Sequence, residues 1–353
     1  MSRGVRPAPR DTLQGVRIFS GIQPTGRKHL GNYIGAILQY VEGQDRGDPA
    51  IYCIVDLHAT TVSYDPVELR TRSRETAALL VAAGLDPERC VLFRQGDVPE
   101  HTELTWLLSS VIPLGALNRM HQFRDKSVAQ RELVSAGLLF YPVLMAADVL
   151  AYRAHEVPVG EDQREHIELM RDAAETFNKR FGDILVVPEA NIPTVGARVR
   201  DLQEPDRKMS TTGGTPRGTV YVDEDRDSII KKFKGAQTDS GREIVRADDK
   251  PGISNLIEIL AVVRGTTPEA IEADFADAPG YGDFKTAVGE EVADWLAPTR
   301  ERYAELREDV GAIEDILAVG AEKAHALAAP VVDDVRQAMG VGPASRRSVG
   351  GAA

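Results

Sequence analysis

The sequence predicts an α/β fold: a Rossmann-like parallel sheet with helices on both faces, followed by a C-terminal all-helical module. Three near-continuous apolar runs alternate with amphipathic stretches in the first half, and strand signals are nearly absent from about residue 225 to residue 339. Strands of a parallel sheet give such continuous apolar runs, because helices cover both of its faces. The alternation therefore indicates βαβ units.

The predicted elements follow in a regular order. The run VRIFSGI precedes a helix predicted from about Leu30 to Gly47, and AIYCIVDLHA precedes a helix opened by Asp65 as its cap and Pro66 as its first residue. The run CVLFRQ precedes PEHTELTWLLSSV, and the pattern is helical again from Glu132 to Leu150. HEVPVG is the next strand candidate, and it leads into the long helix EDQREHIELMRDAAETFNKRF.

We divide the chain into five segments. Residues 1–15 are expected to form a disordered leader, because they carry arginines but no hydrophobic core typical of a secretory signal. Residues 16–205 contain the sheet, with a helical insertion at about 100–150. Residues 206–220 form an exposed mobile loop, 221–340 the helical module, and 341–353 a disordered tail.

Composition narrows the functional classes. The 353 residues carry 54 acidic and 42 basic side chains, a net charge of −12, which argues against a general nucleic-acid coat but leaves room for local basic patches. No apolar run reaches the roughly 18 residues of a membrane span. Cys53 and Cys90 lie in apolar runs and are expected to be packed thiols. We expect a cytoplasmic protein with no membrane association.

The stretch SGIQPTGRKHLGNYIGA, residues 20–36, has the strand–turn–helix layout of a phosphate-binding site, although its spacing matches neither common glycine-rich motif. Residues 23–26 form a turn sequence, and the backbone N–H groups at the following helix start attract anions. His29 adds a donor, and Gly31 leaves the backbone open to a sugar or base. A bare helix cap with a chance histidine is the alternative.

A second candidate lies in the loop PDRKMSTTGGTPRG, residues 205–218. A mobile lysine such as Lys208 can close onto a triphosphate and stabilise charge that develops on pyrophosphate. Taken alone, the loop fits a solvated basic surface better than a catalytic one.

Together the turn and the loop resemble the paired signatures of class I aminoacyl-tRNA synthetases, and the wider match resembles the bacterial type of the tryptophanyl-tRNA synthetase family. FSGIQPTGRKHLGNYIGA looks like that family's version of the HIGH motif. VDLHATTV, LMAADVL, VPVGEDQREHIELMRD, RKMSTTGG, KPGISNLIEI and GYGDFK also look like family blocks in the family's order. The resemblance runs from about Arg17 to about Met339.

The resemblance implies specific roles. Residues 16–205 would bind ATP and tryptophan, and residues 221–340 would meet the tRNA anticodon. The implied catalytic residues are Gln23, His29 and Lys208. The implied ATP-binding residues are Gln23, Pro24, Thr25, Gly31, Asn32, Gly160, Glu161, Asp162, Val199, Lys208, Met209, Ser210, Thr211 and Thr212. The implied tryptophan-binding residues are Phe19, His58, Gln122, Met145, Asp148, Val157 and Val159.

Asp148 is the residue that the implied chemistry most needs. An indole offers one polar group, its N–H donor, and a carboxylate in an apolar pocket is a suitable acceptor. A site built to hydrogen-bond its substrate can reject an analogue without the donor by roughly 10⁴-fold or more. Asp148 is also explained by a helix cap or an ion pair with Arg153. His58 could be an ordinary core histidine, and Met145 and the two valines ordinary core residues.

The loop departs from the family pattern. Where the family reads Lys-Met-Ser-Lys-Ser, this chain has Thr211 and Thr212 after Ser210, so the second lysine is missing. A hydroxyl donates one hydrogen bond but brings no charge. We hypothesise that Lys208 supplies the main charge, with Arg207 or Arg217 as alternatives.

The implied reaction has two steps. The tryptophan carboxylate attacks the α-phosphate of ATP to give tryptophanyl-adenylate and pyrophosphate, and the tRNA(Trp) 3′ ribose then takes the acyl group. Mg²⁺ would arrive with ATP, and no protein-bound metal site is predicted.

The resemblance also implies a homodimer. The basic residues 231–234 are a candidate tRNA contact or merely a solvated helix face. A tyrosyl-specific synthetase, and a paralogue that binds tryptophan or regulates without charging tRNA, are the rival functions.

Overall fold

The computed structural model describes residues 15–120, 135–160, 163–192, 199–211 and 213–342. Four of the predicted site residues, Gln122, Glu161, Asp162 and Thr212, lie outside the described residues. So do residues 1–14 of the predicted leader and residues 343–353 of the predicted tail.

A five-stranded parallel sheet forms the centre of the first half, with strand order β3-β2-β1-β4-β5. Its strands are β1 (Ile18–Ile22), β2 (Ala50–Ile54), β3 (Val91–Arg94), β4 (Glu156–Pro158) and β5 (Glu189–Asn191). Every residue of β2 is buried, as expected for a strand covered on both faces. The predicted fold class is confirmed.

The strand order reverses direction between β1 and β4, which are hydrogen-bonded neighbours although far apart in sequence. The chain winds outward from β1 through β2 to β3, then returns to place β4 on the other side of β1. Loops that follow the two strands separate at such a switch point and leave a crevice at the carboxyl ends.

Helices make up most of the remaining described residues. They are α1 (Leu30–Asn32), α2 (Leu38–Asp45), α3 (Asp56–Ala59), α4 (Pro66–Ala82), α5 (Glu100–Leu108), α6 (Leu114–Arg119), α7 (Ala136–Leu150), α8 (Arg164–Phe181), α9 (Arg226–Lys234), α10 (Pro251–Arg264), α11 (Pro268–Asp274), α12 (Tyr281–Glu308) and α13 (Val310–Met339). A π-helical stretch, Tyr33–Ile37, joins α1 to α2, and a 3₁₀ turn covers Gln95–Asp97.

Three local predictions can be compared directly with the structure. Asp65 caps α4 as expected, since its carboxylate accepts hydrogen bonds from the N–H groups of Val67 and Glu68 at 2.9 and 2.8 Å. The apolar run AIYCIVDLHA is a strand only in its first half: β2 stops at Ile54, and His58 lies in the short helix α3. Both cysteines are buried free thiols, which confirms their expected packing.

The helical module packs directly on the α/β half. Helix α12 contacts α4 and α9, and α13 lies along the edge strand β3. Gly320 of α13 fits tightly there, because a Cβ atom at this position would lie 1.8 Å from the carbonyl oxygen of Leu92. Helix α13 therefore covers the β3 edge of the sheet, whose backbone groups would otherwise be left without partners. In the described part of the chain, none of the helices combines the length and apolar character that crossing a bilayer requires.

Candidate active site

A cavity of about 560 Å³ opens at the switch point between β1 and β4. This volume is within the usual range of small-molecule sites, about 300–1,000 Å³. The fold brings eight of the predicted site residues to its lining: Phe19, Gln23, His58, Met145, Asp148, Val157, Val159 and Gly160. The carboxyl ends of two strands, the turn after β1 and helix α7 therefore build one site.

Asp148 is almost completely buried on α7, with 2% of its surface exposed. Its Oδ2 atom lies 2.8 Å from His58 Nε2, and its Oδ1 atom lies 2.6 Å from Gln95 Nε2 and 2.7 Å from His101 Nδ1. An ionised carboxylate only accepts hydrogen bonds, so all three neighbours donate. Oδ2 receives one of these bonds and retains capacity for one more donor.

The three donors are themselves fixed by neighbours. The Gln95 Oε1 atom accepts a hydrogen bond from the backbone N–H of Leu57 at 3.1 Å, so its NH₂ group must point to Asp148. His101 Nε2 lies 2.7 Å from the hydroxyl of Tyr152, which stacks on Phe19 at a centroid distance of 5.4 Å. This network extends from the carboxylate to a residue that lines the cavity, and it orients both.

These contacts keep Asp148 ionised. Burial alone would raise the pKa of Asp148, but the hydrogen bonds from His101 and His58 outweigh burial and lower it to about 2. The alternative ion pair with Arg153 is absent from the described contacts, since Arg153 bonds Asp334 at 2.7 Å. Asp148 therefore presents a fixed negative charge to the cavity.

Sequence reasoning missed several residues of the site. Gln95 and His101 bond Asp148, and five further residues with polar side chains line the cavity: Ser20, Gln39, Tyr40, Tyr141 and Gln163. A signal for Gln95 existed, because it directly follows β3 and the carboxyl ends of parallel strands meet at one edge. His101 lies on α5, whose place beside α7 no sequence pattern reveals.

The opening turn continues into a capped helix. His29 Nδ1 accepts a hydrogen bond from the backbone N–H of Asn32, and the Asn32 Oδ1 atom accepts one from the backbone N–H of His29, each at 3.2 Å. His29 thus uses Nδ1 as an acceptor, which leaves its proton on Nε2. Burial, and then the charges of Lys208 and Lys28, lower the pKa of His29 to about 4. At neutral pH the ring is an uncharged donor.

Gly31 and Val199 meet next to this histidine. A Cβ atom on Gly31 would lie 3.0 Å from the His29 ring and 3.5 Å from Val199 Cβ. Val199, a predicted ATP-binding residue, therefore lies against the predicted phosphate-binding turn. The first part of the turn is less enclosed: Gln23 and Thr25 are exposed, and Pro24 is buried between them.

The predicted loop is anchored at both of its ends. Asp201 is buried and accepts hydrogen bonds from the backbone N–H groups of Gln203 and Thr215 at 2.8 and 3.0 Å, and from the Thr215 hydroxyl at 3.1 Å. Met209 is 1% exposed, and its N–H donates to the carbonyl oxygen of Val199 at 3.0 Å. Within the loop, Lys208 is exposed and Ser210 is half-buried.

In the basic run of residues 231–234, one lysine is bonded within the protein and two are exposed to solvent. Lys232 Nζ donates to the carbonyl oxygen of Thr219 at 2.6 Å and pairs with Glu224 at 2.5 Å. Lys231 and Lys234 are exposed. Lys232 thus links α9 to the end of the loop, and its neighbours remain as candidate tRNA contacts.

The predicted residues form two neighbouring groups. The lining of the 560 Å³ cavity joins the predicted tryptophan residues to Gln23 and Gly160. His29, Gly31, Asn32, Val199 and Lys208 lie outside that lining, beside the turn. Among the described residues, no group of three or more His, Cys, Asp or Glu side chains is placed to hold a metal ion.

The chain resembles known proteins in both sequence and fold. Residues 13–297 match the family of class I tRNA synthetases for tryptophan and tyrosine. Tryptophan–tRNA ligase 2 of Streptomyces avermitilis is 47% identical over 331 residues, which cover 93% of this chain and 98% of that protein. The tryptophanyl-tRNA synthetase of Mycoplasma pneumoniae superposes with a TM-score of 0.85 at 32% identity, over 93% of this chain and 99% of that one.

A second solved structure, tryptophanyl-tRNA synthetase from Campylobacter jejuni complexed with ADP and tryptophan, superposes with a TM-score of 0.78. It is 33% identical and covers 92% of this chain and 100% of its own. Both the matched range and the identity extend across the sheet, the cavity and most of the helical module. The chain therefore belongs to the class I tRNA synthetases for tryptophan and tyrosine, within the tryptophan–tRNA ligases.

Proposed function

We propose that this chain joins L-tryptophan to tRNA(Trp) in an ATP-dependent reaction, as a tryptophan–tRNA ligase. Asp148 carries the proposal, because it is an ionised acceptor buried in the cavity at the switch point. The indole N–H is the polar group that distinguishes tryptophan from phenylalanine, and the Oδ2 atom has room to accept it.

The walls of the cavity suit the remainder of an indole. Phe19 is held by its stacking on Tyr152, and Val157 lies 2% exposed on the neighbouring strand. Met145 is one helical turn before Asp148 on α7 and lines the same cavity. These apolar walls suit the two fused rings of an indole, and the fixed carboxylate of Asp148 suits its N–H donor.

The turn would hold the phosphates of ATP. The uncharged His29 ring offers its Nε2 proton, and the helix start supplies backbone N–H groups. Lys208 is exposed and close enough to His29 to lower its pKa, so we assign it the main positive charge beside the reacting phosphates. We assign the binding of the ribose to Gly160, Glu161 and Asp162.

Activation then needs positioning more than acid–base chemistry. The tryptophan carboxylate attacks the α-phosphate and expels pyrophosphate, and the charge that builds up must be neutralised. Mg²⁺ would enter on the ATP phosphates, which supply the oxygen ligands that it prefers. The helical module would bind the tRNA anticodon, and the enzyme would act as a cytoplasmic homodimer.

The decisive experiment compares amino acids in ATP–pyrophosphate exchange. In the Asp148→Asn variant the carboxamide turns a donor toward the site, so kcat/KM for tryptophan should fall at least about 100-fold. Preference over tyrosine and phenylalanine should fall with it. Asp172→Asn, a change at an exposed residue of α8, is the matched control. An Asp148→Asn enzyme that still strongly prefers tryptophan would refute the assignment of Asp148.

A second assay tests the rival functions. Charging of tRNA(Trp) with radiolabelled tryptophan should proceed to completion with the wild-type chain. Exchange activity with tyrosine alone would favour the tyrosyl enzyme. Tryptophan binding without any charging would favour the paralogue.

A further inference from the structure

A second cavity lies behind the opening turn. It encloses about 260 Å³ between residues 26–28, helices α4 and α12, and Val222 and Asp223. Its lining shares none of the residues that line the 560 Å³ cavity. Gln23 thus faces one cavity and Gly26 the other, so the turn separates the two spaces.

This second cavity is strongly basic within an acidic chain. Four cationic side chains line it, Arg27, Lys28, Arg72 and Arg307, against the two carboxylates Glu75 and Asp223. The lining therefore carries a net charge of +2, whereas the whole chain carries −12. The sign of the charge in this lining is thus opposite to that of the chain as a whole.

The two carboxylates are already engaged. Asp223 pairs with Arg27 at 2.6 Å, and the Arg27 guanidinium also lies 4.3 Å from the ring centroid of Tyr221. Glu75 is shared between Arg72 at 2.8 Å and Arg307 at 3.1 Å. Arg72 also contacts Glu68 at 3.4 Å. Each guanidinium group carries five N–H donors, so both arginines keep donors beyond these pairs.

Lys28 has no carboxylate partner among the described residues. Its Nζ atom donates to the carbonyl oxygens of Gln23 and Thr25, at 2.7 and 3.1 Å. Burial, and then repulsion from Arg72, lower the pKa of Lys28 to about 8. A bound anion would relieve this repulsion, since it would lie between like charges.

We propose that the second cavity binds the pyrophosphate released in the first step of the reaction. Arg72 and Arg307 would hold its phosphate oxygens, because guanidinium groups bind phosphate through paired hydrogen bonds. The cavity volume of about 260 Å³ suits a small polyanion. It lies below the roughly 300 Å³ at which sites for drug-sized ligands begin. This inference rests on the proposed function, which supplies the pyrophosphate.

Lys28 connects the cavity to the turn. The same ammonium group that faces the cavity holds two carbonyl oxygens of the turn between Gln23 and Thr25. An anion that attracts Lys28 would compete with these carbonyls. Pyrophosphate bound behind the turn is therefore coupled to the residues that would bind ATP in front of it.

The test is a calorimetric titration with the reaction site filled. The full chain is first saturated with tryptophan and α,β-methylene ATP, whose α–β bridge cannot be cleaved, at constant Mg²⁺. Inorganic pyrophosphate is then added. The wild-type chain should bind one further pyrophosphate, and Arg307→Gln should weaken this binding at least about tenfold. Arg302→Gln removes the same charge from an exposed position of the same helix, outside the cavity, and should bind as the wild type does.

Each outcome has a defined meaning. Arg72→Gln is a second variant, and thermal melting checks that both variants are folded. The inference is overturned if no additional pyrophosphate binds. It is also overturned if the wild type, Arg72→Gln and Arg307→Gln bind pyrophosphate equally well. If Arg307→Gln instead raises only the KM for tRNA, the cavity serves a tRNA phosphate and the inference is again wrong. Failure of tryptophan and the ATP analogue to bind at all would count against the proposed function.

Discussion

The hydroxyl of Thr211 donates a hydrogen bond to the carbonyl oxygen of Arg27 at 3.2 Å, across 184 residues of sequence. The Thr211 methyl group packs beside Gly26, where a Cβ atom would lie only 2.5 Å from it. Gly26 has φ = +62°, a conformation that favours glycine. The residue that replaces the family's second loop lysine thus holds the loop against the turn.

This contact predicts the effect of truncating Thr211. Thr211→Ala removes both the hydrogen bond and the methyl contact, so the loop should dock less firmly. Net hydrogen bonds contribute about 1 kcal/mol, and we expect adenylate formation to slow roughly fivefold in rapid-quench measurements. Thr286→Ala on the surface of α12 also removes a hydroxyl that bonds a local carbonyl, and it should leave the rate unchanged. A Thr211→Ala enzyme with the wild-type rate would show that the contact does not matter.

The charge state of His29 gives a spectroscopic prediction. With a pKa of about 4, its ring should show no titration by NMR between pH 5.5 and 8. Burial is the largest cause and Lys208 the next, so Lys208→Ala should raise the pKa while leaving it below the ordinary value. Lys179→Ala, an exposed lysine at the end of α8, serves as the control. An unchanged His29 titration in Lys208→Ala would place Lys208 away from the turn.

Asp148 should contribute to stability in acid. Its pKa is lowered from 3.8 to about 2, so its contribution is complete above about pH 4 and disappears as the pH falls through 2. The size is about 2 kcal/mol. In urea unfolding, the free-energy difference between wild type and Asp148→Asn should shrink by that amount between pH 4 and pH 2. A difference that does not change over this range would show that the folded-state pKa of Asp148 is not lowered.

The close packing of α13 on β3 predicts a strong effect of one methyl group. Gly320→Ala places a Cβ atom against the carbonyl oxygen of Leu92, so either the helix or the strand must move. We expect a loss of about 1–3 kcal/mol in the free energy of unfolding. Gly311→Ala, near the start of the same helix, meets no atom closer than 3.6 Å and should be neutral or slightly stabilising. Similar stabilities for the two variants would contradict this packing.

The local rules of sequence predicted a large part of the fold. Buried strands appear as continuous apolar runs, and Asp65 with Pro66 marks the start of α4 because cap and first-turn chemistry depend on neighbours in the chain. The prediction was less accurate where a short apolar run could form either a strand or a helix. The extended run through His58 bends into α3, where the His58 side chain meets Asp148.

Only part of the candidate site could be predicted from the sequence, because local patterns do not show which distant segments pack together. Residues in the motifs that resemble the synthetase family, such as Gln23, Gly160 and Asp148, do line one cavity. Gln95 and His101 carry no motif, and their role depends on β3 and α5 lying beside α7. Thr211 shows the opposite case, since the sequence marks a missing lysine but not the contact that the threonine makes.

The sequence by itself determined the order of strands and helices, the turn and loop chemistry, and the residues that can bind a nucleotide or accept an indole proton. These properties depend on residue type and on neighbours a few positions away. Only the tertiary structure decided that hydrogen bonds from His101 and His58 keep Asp148 ionised, and that Lys28 and Arg72 face one basic cavity. Burial and charge–charge distances arise when remote segments pack together, and no local pattern encodes them.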